Sequence, residues 1–382
     1  MVTNKLPANS VGLVKPQTAH FHAPFTFANG SILAQHELVY ETYGELNDAG
    51  DNAVLICHAL SGSHHAAGFH SADDRRPGWW DLAIGPGKPF DTNRLFVVCS
   101  NNLGCCDGSS GPNTINHSTG EAWGGTFPQP QVSDWVRSQK QLAESLGISR
   151  WAAVIGGSLG GMQALQWAVD FPDWVEHCVA LAAAPGLTAQ NIAFNEIARH
   201  AILSDPDWCE GDYLAQNKLP ARGVALARMV GHLTYMSADG MSDRFGRELR
   251  EGSFAPGDNR EWVFQVESYL RHQGSRFSTQ FDANTYVLMT RALDLFDLAS
   301  EHGGDLVAAL SQAQASFLIA SFSSDWRFPP QRSIEIRDAL MAAGKSVTYA
   351  NIETDDGHDG FLLPNPTYEA LLAQWMRRVG PS

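Results

Sequence analysis

Basic residues are scarce in this chain: 26 lysines and arginines stand against 41 aspartates and glutamates, a formal charge of −15 over 382 residues. So acidic a balance repels phosphate backbones and anionic lipid headgroups, which excludes a non-specific nucleic-acid binder and argues against a membrane-surface protein. Long hydrophobic runs are missing too. No stretch approaches the ~20 consecutive apolar residues of a spanning helix, and residues 1–17 hold no apolar run of signal-peptide kind; a cytoplasmic location is the expectation. Cysteine is sparse, six in the whole chain, which excludes a disulfide scaffold. Cys57, Cys99, Cys178 and Cys209 are scattered through apolar or mixed segments and read as reduced, inert thiols. Cys105 and Cys106 are adjacent and lack the C-x-x-C spacing of a redox or zinc site; neighbouring residues rarely point at one ion, so the pair reads as loop structure. No internal repeat, low-complexity tract or long linker divides the chain.

What is present is an ordinary globular composition, 44% hydrophobic and 18% charged, with ample length for one large or two small domains. Short apolar runs bounded by turn residues recur at 53–57, 95–99 and 151–155, and such runs suit strands buried on both faces of a parallel sheet. Helical spacing over 132–146 falls between them, and the alternation implies an α/β fold with a mostly parallel sheet. After Pro185 the pattern becomes helical, with candidates at 190–205, 221–237, 261–273 and 281–296 and no convincing strand. Strand runs return at 315–320 and 346–350, and an amphipathic helix over 368–378 closes the chain. The expected organisation is an α/β core over residues 1–185 and 300–382, with an inserted helical lid over 186–299 packed on the sheet.

The sharpest local signal is Gly156-Gly157-Ser158-Leu159-Gly160-Gly161, a G-x-S-x-G that follows a strand-like run and precedes a helix-like one. A tight strand-to-helix turn forces the central residue into strained φ/ψ, and bulky neighbours would collide with it. Ser158 is thereby pushed out at the carboxyl end of the sheet as a candidate nucleophile; the plainer reading is a glycine-rich turn in which it merely caps the helix. A serine nucleophile needs a base, and the base an orienting carboxylate, in the chain order Ser, Asp/Glu, His for this arrangement. Of six histidines downstream of Ser158, His358 sits in a turn just after the 346–350 strand, whereas the others lie in helical patterns or the insertion. Asp325 follows the 315–320 strand at the same edge, and 358 − 325 = 33 residues leave room for one helix, 332–343, and one strand. For the oxyanion of acyl transfer, the amide of Leu159 and that of Leu60, in the small-residue loop after 53–57, are the candidate donors. His58, His64, His65 and His70 precede the nucleophile with no upstream carboxylate at ligand spacing, so loop packing and polar lining are expected of them and no metal.

These residues carry a resemblance. Segments 58–62 (HALSG), 77–80 (PGWW), 85–87 (GPG), 101–104 (NNLG), 108–112 (GSSGP) and 156–164 (GGSLGGMQA) resemble the homoserine O-acyltransferases of the α/β-hydrolase superfamily, and the likeness runs from Val14 to about Trp375, including insertion motifs at 227–232 and 281–286. Cys105-Cys106-Asp107 departs from the glycine-rich residues common there. The resemblance implies an α/β-hydrolase fold and an acyl transfer to the hydroxyl of L-homoserine in methionine biosynthesis, with succinyl-CoA as co-substrate and no cofactor; a seryl acyl-enzyme makes ping-pong kinetics the expectation. It also implies a homodimer joined through the insertion, where Leu226, Met229, Val230, Leu233, Tyr235 and Met236 supply apolar surface. Arg228 and Asp359 are implied as substrate contacts, with charge suggesting the amino-acid carboxylate for the first and the ammonium for the second. Family members use acetyl- or succinyl-CoA. Asp325-Trp326-Arg327-Phe328 resembles the succinyl-using branch, and a guanidinium at Arg327 suits the second carboxylate of a succinyl group; acetyl-CoA is the alternative donor. A hydrolase would use the same three residues with water as acceptor, and a non-catalytic binding protein could dispense with them.

Overall fold

The computed structural model describes residues 6–250 and 264–380. One eight-stranded sheet organises the chain. Its strands in chain order are β1 (Gln17–Phe21), β2 (His36–Tyr43), β3 (Ala53–Cys57), β4 (Phe96–Ser100), β5 (Trp151–Gly157), β6 (Val175–Leu181), β7 (Ser316–Phe322) and β8 (Val347–Ile352). Across the sheet they run β1-β2-β4-β3-β5-β6-β7-β8. From β4 to β8 every pair is parallel; β1 and β2 form an antiparallel edge, β2 pairing antiparallel with β4. The strand ends that carry Cys57, Gly157, Phe322 and Ile352 therefore share one edge of the sheet.

Burial explains the order. β3 and β5 are buried at every position, as strands covered on both faces must be. In β3, Ala53, Leu55 and Cys57 enter the core on one face while Val54 and Ile56 enter the core on the other, the period-two alternation of a strand. Helices α1 (Val132–Ser145), α2 (Leu159–Asp170) and the later α9 (Pro330–Ala342) fill the first face, and α10 (Pro366–Met376) with the loop around Trp80 and Phe90 fills the second.

Between β6 and β7 the chain leaves the sheet. The N–H of Leu298 donates to the carbonyl of Pro185 at 2.9 Å and Gly186 bridges Asp297, so the excursion departs and returns at one point. It holds α3 (Ala189–Leu203), α4 (Ala221–Tyr235), α5 (Ala238–Phe245), α6 (Gln265–Ser278) and α7 (Ala283–Leu295), and α8 (Leu306–Ser311) follows. The sequence pattern starts a helix at residue 261, but residues 261–263 lie outside those described, and the described helix starts at Gln265. Among the described residues no helix is long and apolar enough to cross a membrane.

Some elements differ from the sequence expectation. β1 and β2 carry no continuous apolar run of strand length, and β6 carries one only from Cys178 onward, after Glu176 and His177; β6 also places His177 on a strand, not in a helical pattern. β7 and β8 end two residues later than their apolar runs, at Phe322 and Ile352, because the parallel ladder continues through Ser321 and Asn351.

Candidate active site

The turn between β5 and α2 decides the site's position. Ser158 has φ +56° and ψ −123°, a region a side chain enters only when its surroundings compel it. What compels it is the crowding of glycines. A Cβ on Gly160 would lie 2.0 Å from the carbonyl oxygen of Cys57, one on Gly156 would lie 2.2 Å from the Gly160 carbonyl carbon, and one on Gly157 would strike the Phe361 ring at 2.3 Å. α2 thus starts almost on top of the end of β3. The Ser158 N–H donates to the carbonyl of Leu181 at 2.9 Å, which anchors the turn to β6.

Ser158, His358 and Asp325 are brought together in one hydrogen-bonded line. His358 Nε2 lies 2.8 Å from Ser158 Oγ, and its Nδ1 lies 2.7 Å from Asp325 Oδ2. A carboxylate only accepts, so the Nδ1–H donates to Asp325 and Nε2 is left to accept the serine proton. The other oxygen of Asp325 accepts the N–H groups of Arg327 and Phe328, each at 2.9 Å, which fixes the carboxylate plane. Asp325 and His358 are both buried. Phe328, Tyr235 and Phe361 surround the imidazole with ring centroids at 5.1, 6.0 and 6.0 Å.

Leu159 is the first residue of α2, and its N–H is among those a helix start leaves without an intrahelical partner. Leu60 lies in the loop that leaves β3 and is buried. His58 fixes that loop: its Nδ1 lies 2.7 Å from the Ala59 carbonyl, its Nε2 accepts the N–H of Asn102 at 3.1 Å, and its carbonyl accepts from Gln163 on α2 at 3.0 Å. Burial pushes the His58 imidazole down to about 4, so it is neutral and serves as a peg between two loops.

Arg228, on α4, reaches Ser61 Oγ at 3.4 Å and lies over the Phe277 and Tyr235 rings at 4.5 and 5.8 Å. Asp359 follows His358; desolvation pushes its carboxyl up, and His358 and Arg228 pull it back. Arg327 is 7% exposed, donates to Thr234 Oγ1 at 2.8 Å and Asn195 Oδ1 at 3.4 Å, and lies 5.4 Å over Tyr235. Among the described residues no carboxylate comes within 4.0 Å of its guanidinium.

Two sequence readings need correction. Tyr235 does not belong to an outward apolar face: its ring stands between His358 and the two arginines, and the signal missed was its place at the carboxyl end of the helix that carries Arg228. The second concerns the upstream histidines. Glu41 on β2, wholly buried, supplies the carboxylate that linear spacing did not show: it lies 2.5 Å from His70, 3.0 Å from His65 and 2.7 Å from the Tyr43 hydroxyl, with His64 at 3.9 Å. The ligand atoms of Glu41, His65 and His70 fall within 4.8 Å of one another, a spacing a metal ion would fit, while the same nitrogens already satisfy the buried carboxylate. Cys105, Cys106 and Asp107 also converge, but bonding to Cys106 and burial push the Cys105 thiol up, away from the thiolate a metal needs.

A family model described as the alpha/beta hydrolase fold matches residues 52–362. A homoserine O-succinyltransferase of Saccharophagus degradans is 59% identical over 374 residues, 98% of each chain, and one of Cellvibrio japonicus is 58% identical over 98% of this chain and 99% of its own. Among solved structures, a homoserine O-acetyltransferase from Bacillus anthracis superposes with a TM-score of 0.89 at 31% identity, covering 97% of this chain and 99% of its own, and esterase E22 with 0.87 at 30%, covering 95% and 100%.

Burial pushes His36, His58, His64 and His232 each down to about 4. In the unfolded chain these groups titrate near 6.5, so between pH 6.5 and 4 the unfolded state binds protons that the folded state refuses. Stability is therefore full above pH 6.5 and falls as the pH is lowered, by on the order of 1–2 kcal/mol per imidazole at pH 5. Urea midpoints at pH 7, 6 and 5 should drop steadily; a flat series would mean that these imidazoles are not held neutral.

Proposed function

The chain belongs to the homoserine O-succinyltransferase family of the α/β-hydrolase fold, and we propose that it carries a succinyl group from succinyl-CoA to the hydroxyl of L-homoserine through a seryl acyl-enzyme. The observation that carries the chemistry is the unbroken line from Ser158 Oγ through His358 to Asp325. In the first half, Ser158 Oγ bonds to the thioester carbonyl carbon while its proton passes to His358 Nε2. The N–H groups of Leu60 and Leu159 receive the oxyanion; the C–S bond then breaks and the proton goes to the CoA sulfur. In the second half the homoserine hydroxyl gives its proton to Nε2 and attacks the ester carbonyl; the bond to Ser158 breaks and Oγ recovers the proton. Asp325 keeps the imidazole in the required tautomer and stabilises its cation throughout.

The charged side chains divide the substrates between them. Arg228 takes the amino-acid carboxylate and Asp359 the ammonium. Arg327 takes the distal carboxylate of the succinyl group. A buried guanidinium without a carboxylate partner is costly, and a dicarboxylic acyl group offsets that cost when bound, whereas an acetyl group brings no charge. No cofactor enters: succinyl-CoA arrives as substrate and CoA leaves as product. A second copy of the chain covers Leu226 and Leu233 of α4, exposed at 47% and 46% one heptad apart. Light scattering should give a mass near twice 41.6 kDa, and a monomer at micromolar concentration would remove this part of the reading.

CoA release followed with a thiol reagent tests the reaction class. Homoserine-dependent release from succinyl-CoA is expected, lost by several orders of magnitude in Ser158→Ala. Release without homoserine would make the protein a hydrolase, and no release a binding protein.

Donor choice is tested at Arg327. Arg327→Leu leaves the distal succinyl carboxylate desolvated and unpartnered, which costs about 2 to 5 kcal/mol. The ratio of kcat/KM for succinyl-CoA over acetyl-CoA should fall at least ~10-fold. An unchanged ratio would make Arg327 structural and restore acetyl-CoA to equal standing.

A further inference from the structure

A cavity of about 460 Å³ is lined by Ser61 and by Arg228, which reaches the Ser61 hydroxyl. Ser61 directly follows Leu60, so the cavity lies beside the loop that carries the proposed oxyanion donor. Its wall carries three guanidiniums, Arg76, Arg228 and Arg276, against one carboxylate, Asp107. In a chain of net charge −15 this is a local reversal of sign.

The three arginines differ in how they are held. Arg228 is anchored by Ser61 and by the Phe277 ring. Arg76, in the loop after β3, and Arg276, on α6, are exposed, and neither guanidinium has an ion-pair or hydrogen-bond partner among the described residues. Homoserine has one carboxylate, which Arg228 already answers. Two further free cations at the mouth answer a ligand with more negative charge and greater reach.

Resting on the acyl-CoA reading above, we propose that this cavity is the channel for the pantetheine arm of the donor and that Arg76 and Arg276 clamp the phosphates of its nucleotide end. The acyl end sits at Ser158, the arm passes Ser61, and the diphosphate and ribose phosphate meet guanidiniums supplied by two separate elements, the β3 loop and α6. Planar guanidinium forks suit phosphate oxygens bidentately. The positive mouth also steers a polyanion toward a protein whose overall charge repels it.

The test compares CoA, which carries the phosphates, with pantetheine, which has the same arm and thiol without them. In calorimetry, Arg76→Gln/Arg276→Gln should weaken CoA binding at least about tenfold and leave pantetheine binding as in the wild type, with Arg→Lys at both positions restoring part of the CoA affinity. In turnover, the ratio of kcat/KM for succinyl-CoA over succinyl-pantetheine should fall by a similar factor, and the salt dependence of the succinyl-CoA reaction should flatten. Unchanged CoA binding in the double variant, or equal loss for CoA and pantetheine, overturns the clamp. A wild-type protein that binds CoA through these arginines but transfers nothing to homoserine overturns the transferase reading and leaves the clamp standing.

Discussion

Everything in this protein hangs on the contact between the start of α2 and the end of β3. Gly160 sits so close to the Cys57 carbonyl that no side chain fits, and that closeness, with Gly156 beneath it, holds Ser158 at φ +56°. The strain has two products from one cause. The serine hydroxyl is lifted off the sheet toward His358, and the first N–H of α2 is brought beside the loop that carries Leu60. In the proposed mechanism, nucleophile and oxyanion donors are thus placed by backbone packing, which costs no reorganisation when charge develops. The neutral His58 peg completes the arrangement by tying that loop to Asn102 and to Gln163 of α2.

The helical excursion is more than a cover. Trp326 donates to the Met236 carbonyl at 2.9 Å, Asn191 to the Arg327 carbonyl at 2.9 Å, and Ser237 to the Asp355 carbonyl. A Cβ on Gly357, at φ +69°, would meet the Tyr235 carbonyl oxygen at 2.5 Å. The loops of the acid and of the base are therefore both fastened to the stretch that ends α4. Any movement of α4 would be felt at Asp325 and His358, so the helical excursion and the hydrogen-bonded line of Ser158, His358 and Asp325 are mechanically coupled.

Sequence patterns reached some of this and not the rest, for reasons that can be named. β3 and β5 were legible because strands buried on both faces must be apolar at every position. β6 was missed although Cys178–Leu181 is apolar, because exposed Glu176 and His177, packed edge-on against Trp375, leave its first half without an apolar run while the ladder continues through both halves. Ser158, Asp325 and His358 could be picked out because each comes after a strand run in an order that this topology demands. Glu41 could not. It pairs with Cys99 across the sheet and so meets a histidine loop more than 20 residues further along the chain. Linear ligand spacing is blind to partners that a sheet brings together. Tyr235 escaped for a related reason: helical periodicity assigns a face, but the last residue of a helix is aimed by the turn into which the helix runs.

The way arginines are held separates Arg199, which is tied into the fold, from Arg228 and Arg327, to which the proposed mechanism gives ligands. Arg199 on α3 is buried and paired with Asp294 at 2.7 Å and Glu196 at 2.8 Å, so its charge is neutralised within the chain. Arg228 and Arg327 are oriented instead by rings and neutral oxygens: Tyr235 and Phe277 with Ser61 for the first, Tyr235 and Phe328 with Thr234 and Asn195 for the second. A ring face attracts a cation through its quadrupole without cancelling its charge, and a hydroxyl or amide oxygen fixes direction in the same way. A carboxylate in either place would hold the arginine more firmly but would have to be displaced by every substrate. Sharing the Tyr235 ring, itself against His358, leaves both guanidiniums aimed and without a carboxylate ion pair among the described residues, which is the electrostatic state the proposed roles require when the acceptor brings one carboxylate and the acyl donor another.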